Sequence, residues 1–393
     1  MRLKSVIICL TTIVAFAQEA LWSSPILVGL HGKHPLGERQ VGELLIGELR
    51  CGTCHEDKLP RVLKRKDSPD LSEVGSRISP DYLQRFIANP LEVQSGVMMP
   101  DMLVGHSPKE RKEIAEAIAH FLTERSSRSV SAVGVVEGDF ATGRKLFHGI
   151  GCIACHFPRD EQEKEVEGLG LSSLAHVKEK YSQVSLTEFL FDPHLTRPSG
   201  RMPDMKLSKD ESSDLAAYLL SKKVYQIKPL RISKELATKG QKYFREFNCA
   251  ACHSLEGETA NDITSSLDEV NTEKGCLAKR PKKAPDYDLS DSQRKAIKKL
   301  LADPRRKPSV EEEIAVSLTA FNCIACHSRD DYGGPSQAFL PYLHTSEEGL
   351  GNEARIPPPL TLAGAKLKPQ WMRKVLFDGE SARPYMHTRM PKF

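Results

Sequence analysis

The pentapeptide CIACH runs from Cys152 to His156, and the same five letters return from Cys323 to His327. CGTCH (Cys51, Cys54, His55) and CAACH (Cys249, Cys252, His253) complete the set, so eight of the ten cysteines obey one rule: two residues between the thiols, histidine next. Two thiols so spaced can each add to a vinyl group of one haem, and the adjoining imidazole then reaches its iron from below. The pattern therefore reads as four covalent haem sites, with His55, His156, His253 and His327 as proximal iron ligands and all eight cysteines as attachment points.

Other readings of the spacing fail on the histidine. A zinc pair of the C-x-x-C kind has no use for a histidine directly after the second cysteine. A thioredoxin-like dithiol needs a strand-helix-strand setting that is absent around these motifs. Counting back from the first cysteine, the fifth residue is Ile46, Phe147, Phe244 and Leu318, and the second is Leu49, Ile150, Phe247 and Phe321. This spacing predicts one apolar helix face ahead of each motif. The ninth residue back is glycine three times, Gly42, Gly143 and Gly240. Downstream, Met-Pro occurs at Met99, Met202 and Met390, and SPKE (Ser107 to Glu110), SKDE (Ser208 to Glu211) and SDSQ (Ser290 to Gln293) predict capped starts of closing helices.

Helix, haem motif, loop, Met-Pro and final helix make a unit that resembles a class I c-type cytochrome domain, and nearly the whole chain is covered by such units. ARPYMHTRMPKF at the C-terminus is similar to the ends of domains in bacterial multi-haem cytochromes. The resemblance implies an all-α fold of four tandem domains, 18–128, 137–226, 231–305 and 308–393, the fourth without its final helix. It also implies four haem c groups, with Met99, Met202 and Met390 as distal iron ligands. Met98, next to Met99, is the alternative ligand in unit one, while Met102 and Met205 read as packing.

The third unit departs from the pattern. A gapless match of RMPDMKLS (Arg201 to Ser208) to KAPDYDLS (Lys283 to Ser290) sets Ala284 where Met202 stands. The expectation from the linear order is that the haem on His253 lacks a methionine. Cys276, Lys282, Lys283, His344, His387 and Met386 are then the candidates to fill its sixth position, and a small buried side chain is the alternative role for Cys276. His120 reads as a core histidine on the helix IAEAIAHFL, and His31, His34, His148, His176, His194 and His344 as surface or loop residues.

The chain's 393 residues suit several small domains better than one core. A charge of +4 from 56 basic and 52 acidic residues is too small an excess to suggest a nucleic-acid partner. MRLKSVIICLTTIVAFAQEA has the basic start, apolar run and small-residue cleavage site of a secretory leader ending at Ala17, which Cys9 would leave with. No later run is long enough for a membrane span. The basic runs KRKD (Lys64 to Asp67) and KRPKK (Lys279 to Lys283) read as solvated faces or docking points for an acidic redox partner. SSRSVSAVG (Ser126 to Gly134) and KKVYQIKP (Lys222 to Pro229) read as linkers, and Pro357 to Pro359 as a stiff pocket loop.

These readings combine into a periplasmic or otherwise exported electron carrier that passes single electrons between a donor and an acceptor protein. The alternative is a haem enzyme, or the electron-accepting subunit of a dehydrogenase or peroxidase, that uses the third haem as its reactive site.

Overall fold

The computed structural model describes residues 30, 34–60, 62–63, 66–94, 96–126, 137–167, 171–221, 228–261 and 265–393. The leader, most of both linkers, His31, and Lys64 and Arg65 of the first basic run lie outside the described residues. The fold is all-α: among the described residues the one strand pair is Ser328–Arg329 with Tyr332–Gly333. No helix of the described residues is long and apolar enough to cross a membrane.

Each motif is preceded by a helix: Glu38–Glu48, Phe140–Gly149, Lys234–Glu246 and Val310–Ala320. The residue just before the first cysteine leaves the helical region at positive φ, as Arg50 (58°), Gly151 (121°), Asn248 (51°) and Asn322 (56°). Glycine and asparagine tolerate that turn well. Arg50 is held there by its guanidinium, which donates to the Lys66 and Asp67 carbonyls at 3.0 Å each. The capping boxes at Ser107, Ser208 and Ser290 form as the sequence predicts and start the closing helices Pro108–Arg125, Lys209–Leu219 and Asp291–Leu301.

The glycine nine residues before the motif marks where an opening helix crosses a closing helix. A Cβ on Gly143 would sit 2.0 Å from the Asp214 carbonyl oxygen, so unit two closes on itself. A Cβ on Gly42 would meet the Ala296 carbonyl at 2.2 Å, and one on Gly240 the Ala117 carbonyl at 2.0 Å. The opening helix of unit one therefore packs on the closing helix of unit three, and the opening helix of unit three on the closing helix of unit one. Units one and three exchange halves.

The cores follow this exchange. Leu44, Leu45 and Leu49 cluster with Leu267, Leu289, Ile297 and Leu300. Phe244 and Leu255 cluster with Val74, Leu83, Leu103, Ile118 and Phe121. The contiguous boundaries 18–128 and 231–305 expected from the sequence thus do not enclose separate cores. The local pattern is right, but it does not say which closing helix an opening helix meets.

Among the described residues, unit four shows no such crossing. Its residue nine before the motif is Ile314, 37% exposed, with Val310 at 64% and Phe321 at 52%. The other face of this helix, Ala315 and Val316, packs into the core of the first motif. The tail of unit four docks on unit two: Arg389 N donates to the Ile150 carbonyl at 3.0 Å, and its guanidinium pairs with Glu211.

Candidate haem sites

At each motif a single turn of 3-10 helix begins on the first cysteine, and the histidine amide donates back to that cysteine's carbonyl, at 3.1 Å for His55, 3.0 Å for His156 and His253, and 2.9 Å for His327. The turn thus brings two sulfurs and one imidazole into a unit of five residues. Each ring Nδ1 then meets a backbone carbonyl: His156 that of Ser172 (3.3 Å), His327 that of Pro358 (2.6 Å), His55 that of Ser265 (2.9 Å) and His253 that of Pro69 (2.9 Å). A carbonyl only accepts, so Nδ1 carries the proton and Nε2 is left to a metal. The last two bonds cross between units one and three and repeat the exchange at the sites themselves.

Burial holds the imidazoles of His156, His253 and His327 below the usual histidine range, which keeps them neutral as a metal ligand must be. Cys152, Cys249 and Cys326 are pushed up to about 12, and Cys323 to about 11, by the same cause. None of the described cysteines forms a disulfide. Among the described residues no three His, Cys, Asp or Glu side chains gather as a metal-binding group. Each motif stands as two sulfurs and one imidazole, a donor set that fits a haem held by two thioethers and a proximal histidine.

A second feature fits the same group. Lys180 is 5% exposed, with its ammonium over the rings of Tyr82 (5.4 Å) and Tyr181 (5.1 Å), and among the described residues no carboxylate pairs with it. Burial first, then Arg197 and Arg77, pull its pKa well below the lysine range. Burial likewise lowers His176 to about 3, assisted by Lys180 and Arg197. A buried ammonium beside two half-buried guanidinium groups is costly alone and suits the carboxylates of a haem. Its sequence signal is a spacing: Arg77, Lys180 and Lys366 each stand eight residues beyond the carbonyl residue of a site, Pro69, Ser172 and Pro358.

The four motifs converge. Thr53 Oγ1 lies 3.4 Å from Cys252 Sγ and 3.8 Å from Cys54 Sγ, bridging the first and third motifs. Asn322 Nδ2 donates to Cys155 Sγ at 2.9 Å, joining the fourth to the second. Between these pairs Glu48, 4% exposed, binds Lys66 at 2.7 Å and Arg201 at 3.3 Å. Instead of the row suggested by the linear order, the sites form a cluster around a shared ionic centre.

Of the methionines, Met202 packs on the core of unit two, and its carbonyl accepts from His194 Nε2 at 3.1 Å. Met205 is core, as expected. Met99 and Met390 are half-buried, and Met98 packs on the core of the first motif. His120 is buried, its Nδ1 accepting from Ser233 N at 3.2 Å, which ties unit one to unit three. His148, expected at the surface, is buried and stacks on Tyr342 of unit four at 4.8 Å. Lys282 and Lys283 are exposed, while His344, His387 and Met386 meet one another in the tail of unit four, away from the third motif.

The family model described as Cytochrome c matches residues 140–223. That segment is unit two, opening helix through closing helix, and the match supports a c-type cytochrome with covalently bound haem c and a role in electron transfer. No curated protein and no solved structure matches the chain.

Proposed function

We propose that the chain is an exported four-haem c-type cytochrome that relays single electrons between redox partner proteins. The observation that carries this reading is the fourfold repetition of one site: positive-φ residue, one-turn motif, and imidazole Nδ1 on a backbone carbonyl. Haem iron, when bound, supplies a one-electron couple. The chain's residues fix the cofactor by thioethers, orient each imidazole, bury the site and hold neighbouring motifs in contact.

Met202 and Met390 are the distal residues proposed for the second and fourth haems. Methionine raises the potential of a histidine-bound haem, and burial excludes water from it. The N-terminal leader supports export, where cytochromes of this kind acquire their haem. The test is production of the full chain with a cytochrome c maturation system, then haem staining on a denaturing gel and a haem-to-protein ratio. Four covalent haems per chain are expected, and fewer, or zinc in their place, would refute the reading.

A further inference from the structure

We propose that the haem without methionine is the one on His55, not the one on His253, and that its distal face binds a small uncharged diatomic ligand. The inference rests on the four-haem reading and follows from the exchange of halves. The carbonyl beneath His253 belongs to Pro69, Leu71 N donates to the Ser254 carbonyl at 3.0 Å, and Leu83 and Leu103, which flank Met99 in the chain, share a core with Phe244. The segment bearing Met99 is thus the cover of the third motif. Beneath His55 lies the carbonyl of Ser265, Leu267 N donates to the Glu56 carbonyl at 2.9 Å, and Leu267, Leu277, Tyr287 and Leu289 cluster with Leu45, Leu49 and Cys51. The segment bearing Ala284 covers the first motif.

That cover is also the thinnest. Thirty residues separate Pro69 from Met99 and Ser172 from Met202, and nineteen separate Ser265 from Ala284. The two longer stretches carry three helical segments each: Val74–Arg77, Pro80–Ala88 and Pro90–Val93 in one, Val177–Lys180, Gln183–Phe191 and Pro193–Thr196 in the other. The short one carries a single 3-10 turn, Gly275–Leu277. The cation found eight residues beyond the carbonyl residue in the other units is replaced by Glu273, which is engaged with Lys298 at 2.6 Å. Tyr287 is engaged too, its hydroxyl donating to the Leu49 carbonyl at 3.2 Å.

Alanine has no donor atom for iron, and its methyl group is shorter than a methionine side chain by three heavy atoms. Leu277 and Leu289, which share the core of the first motif with Cys51, disfavour an anion on that haem, since a buried charge needs a partner. A neutral diatomic molecule fits both conditions.

The test uses the dithionite-reduced full-length holoprotein and carbon monoxide as probe. One carbon monoxide per chain is expected. Cys51→Ala keeps its haem through Cys54 alone, and the remaining vinyl group shifts that haem's absorption to the red. The carbon monoxide complex should carry this shift in Cys51→Ala and not in Cys249→Ala. Cys276, on the Gly275–Leu277 turn of the same cover, is the one soft donor named above that this segment carries. The reverse assignment, or binding only after Met98→Leu or Cys276→Ala, would overturn the proposal. Met99→Ala should raise binding to two per chain, the second complex shifting in a Met99→Ala, Cys249→Ala double variant. Haem content is read separately: a chain with fewer than four haems fails the parent reading, while the shifted complex still decides this one.

Discussion

Asp101 and Asp286 hold the same place in two repeats, each two residues beyond the methionine position, and they pair with each other: Asp101 N donates to the Asp286 carbonyl at 2.8 Å, and Asp286 N to the Asp101 carbonyl at 3.0 Å. A residue meeting its own counterpart is the mark of a two-fold contact between identical partners. Here it lies inside one chain. Asp204 and Lys392, the corresponding residues of units two and four, form the equivalent bridge, with Lys392 N donating to the Asp204 carbonyl at 2.9 Å. The molecule is built as two such pairs, one with exchanged halves and one without.

The crossing glycines should tolerate nothing larger. Gly240→Val puts a Cβ 2.0 Å from the Ala117 carbonyl and must separate the helices, so a loss of about 2–4 kcal/mol is expected in denaturant unfolding. Ile314→Ala, at the equivalent but partly exposed place in unit four, should change stability by less than about 1 kcal/mol.

Fragments should divide according to the exchange. Residues 137–221 contain both crossing helices of unit two and should give a monomer with one haem. Residues 18–128 contain an opening and a closing helix that do not meet in the structure. Size-exclusion chromatography should find this fragment unfolded or paired with a second copy, and a stable monomer with native absorption would show that the unit can close on itself.

The tail of unit four should loosen in acid. Arg389 holds the Glu211 carboxylate below its usual 4.5, helped by the Ser208 cap. A depressed carboxylate stabilises the fold above its unfolded value and loses that contribution as pH falls through the folded one. Arg389→Gln should therefore cost about 1 kcal/mol near pH 7 and almost nothing near pH 3, measured by thermal unfolding at both.

Lys180→Met should lower the potential of the haem on the second motif. With haem bound, Lys180 faces the propionates in this reading, and removing a cation makes the iron harder to reduce. Redox titration of the variant should show that one couple displaced downward by tens of millivolts or more. An unchanged couple would place the lysine away from the cofactor.

Much of this architecture is legible in the sequence because its determinants are local. The motif, the apolar residues five and two positions before it, and Ser-x-x-Glu at Ser107 and Ser208 each act within one or two turns of helix. Gly42, Gly143 and Gly240 stand in the sequence as a plain repeat, and their reason is a helix crossing that only the structure supplies. The exchange is not legible, since units one and three have the same local pattern and either pairing of their helices satisfies it. Ala284 is near His253 in sequence, and the proposal that it lies over His55 instead rests on this exchange, which separates nearness in sequence from nearness in space. His148 is buried where its sequence suggests a surface position, because its cover, Tyr342, comes from another unit.

The exchange also sets an order in time. Chains tend to fold from the N-terminus as they are made, yet the pocket of His55 is closed by residues 265–301, which follow all of unit two. Unit two, second in the sequence, is the first able to finish. Until then the helix Glu38–Glu48 must wait with Leu44, Leu45 and Ile46 uncovered, and the first site in the sequence is among the last to be sealed.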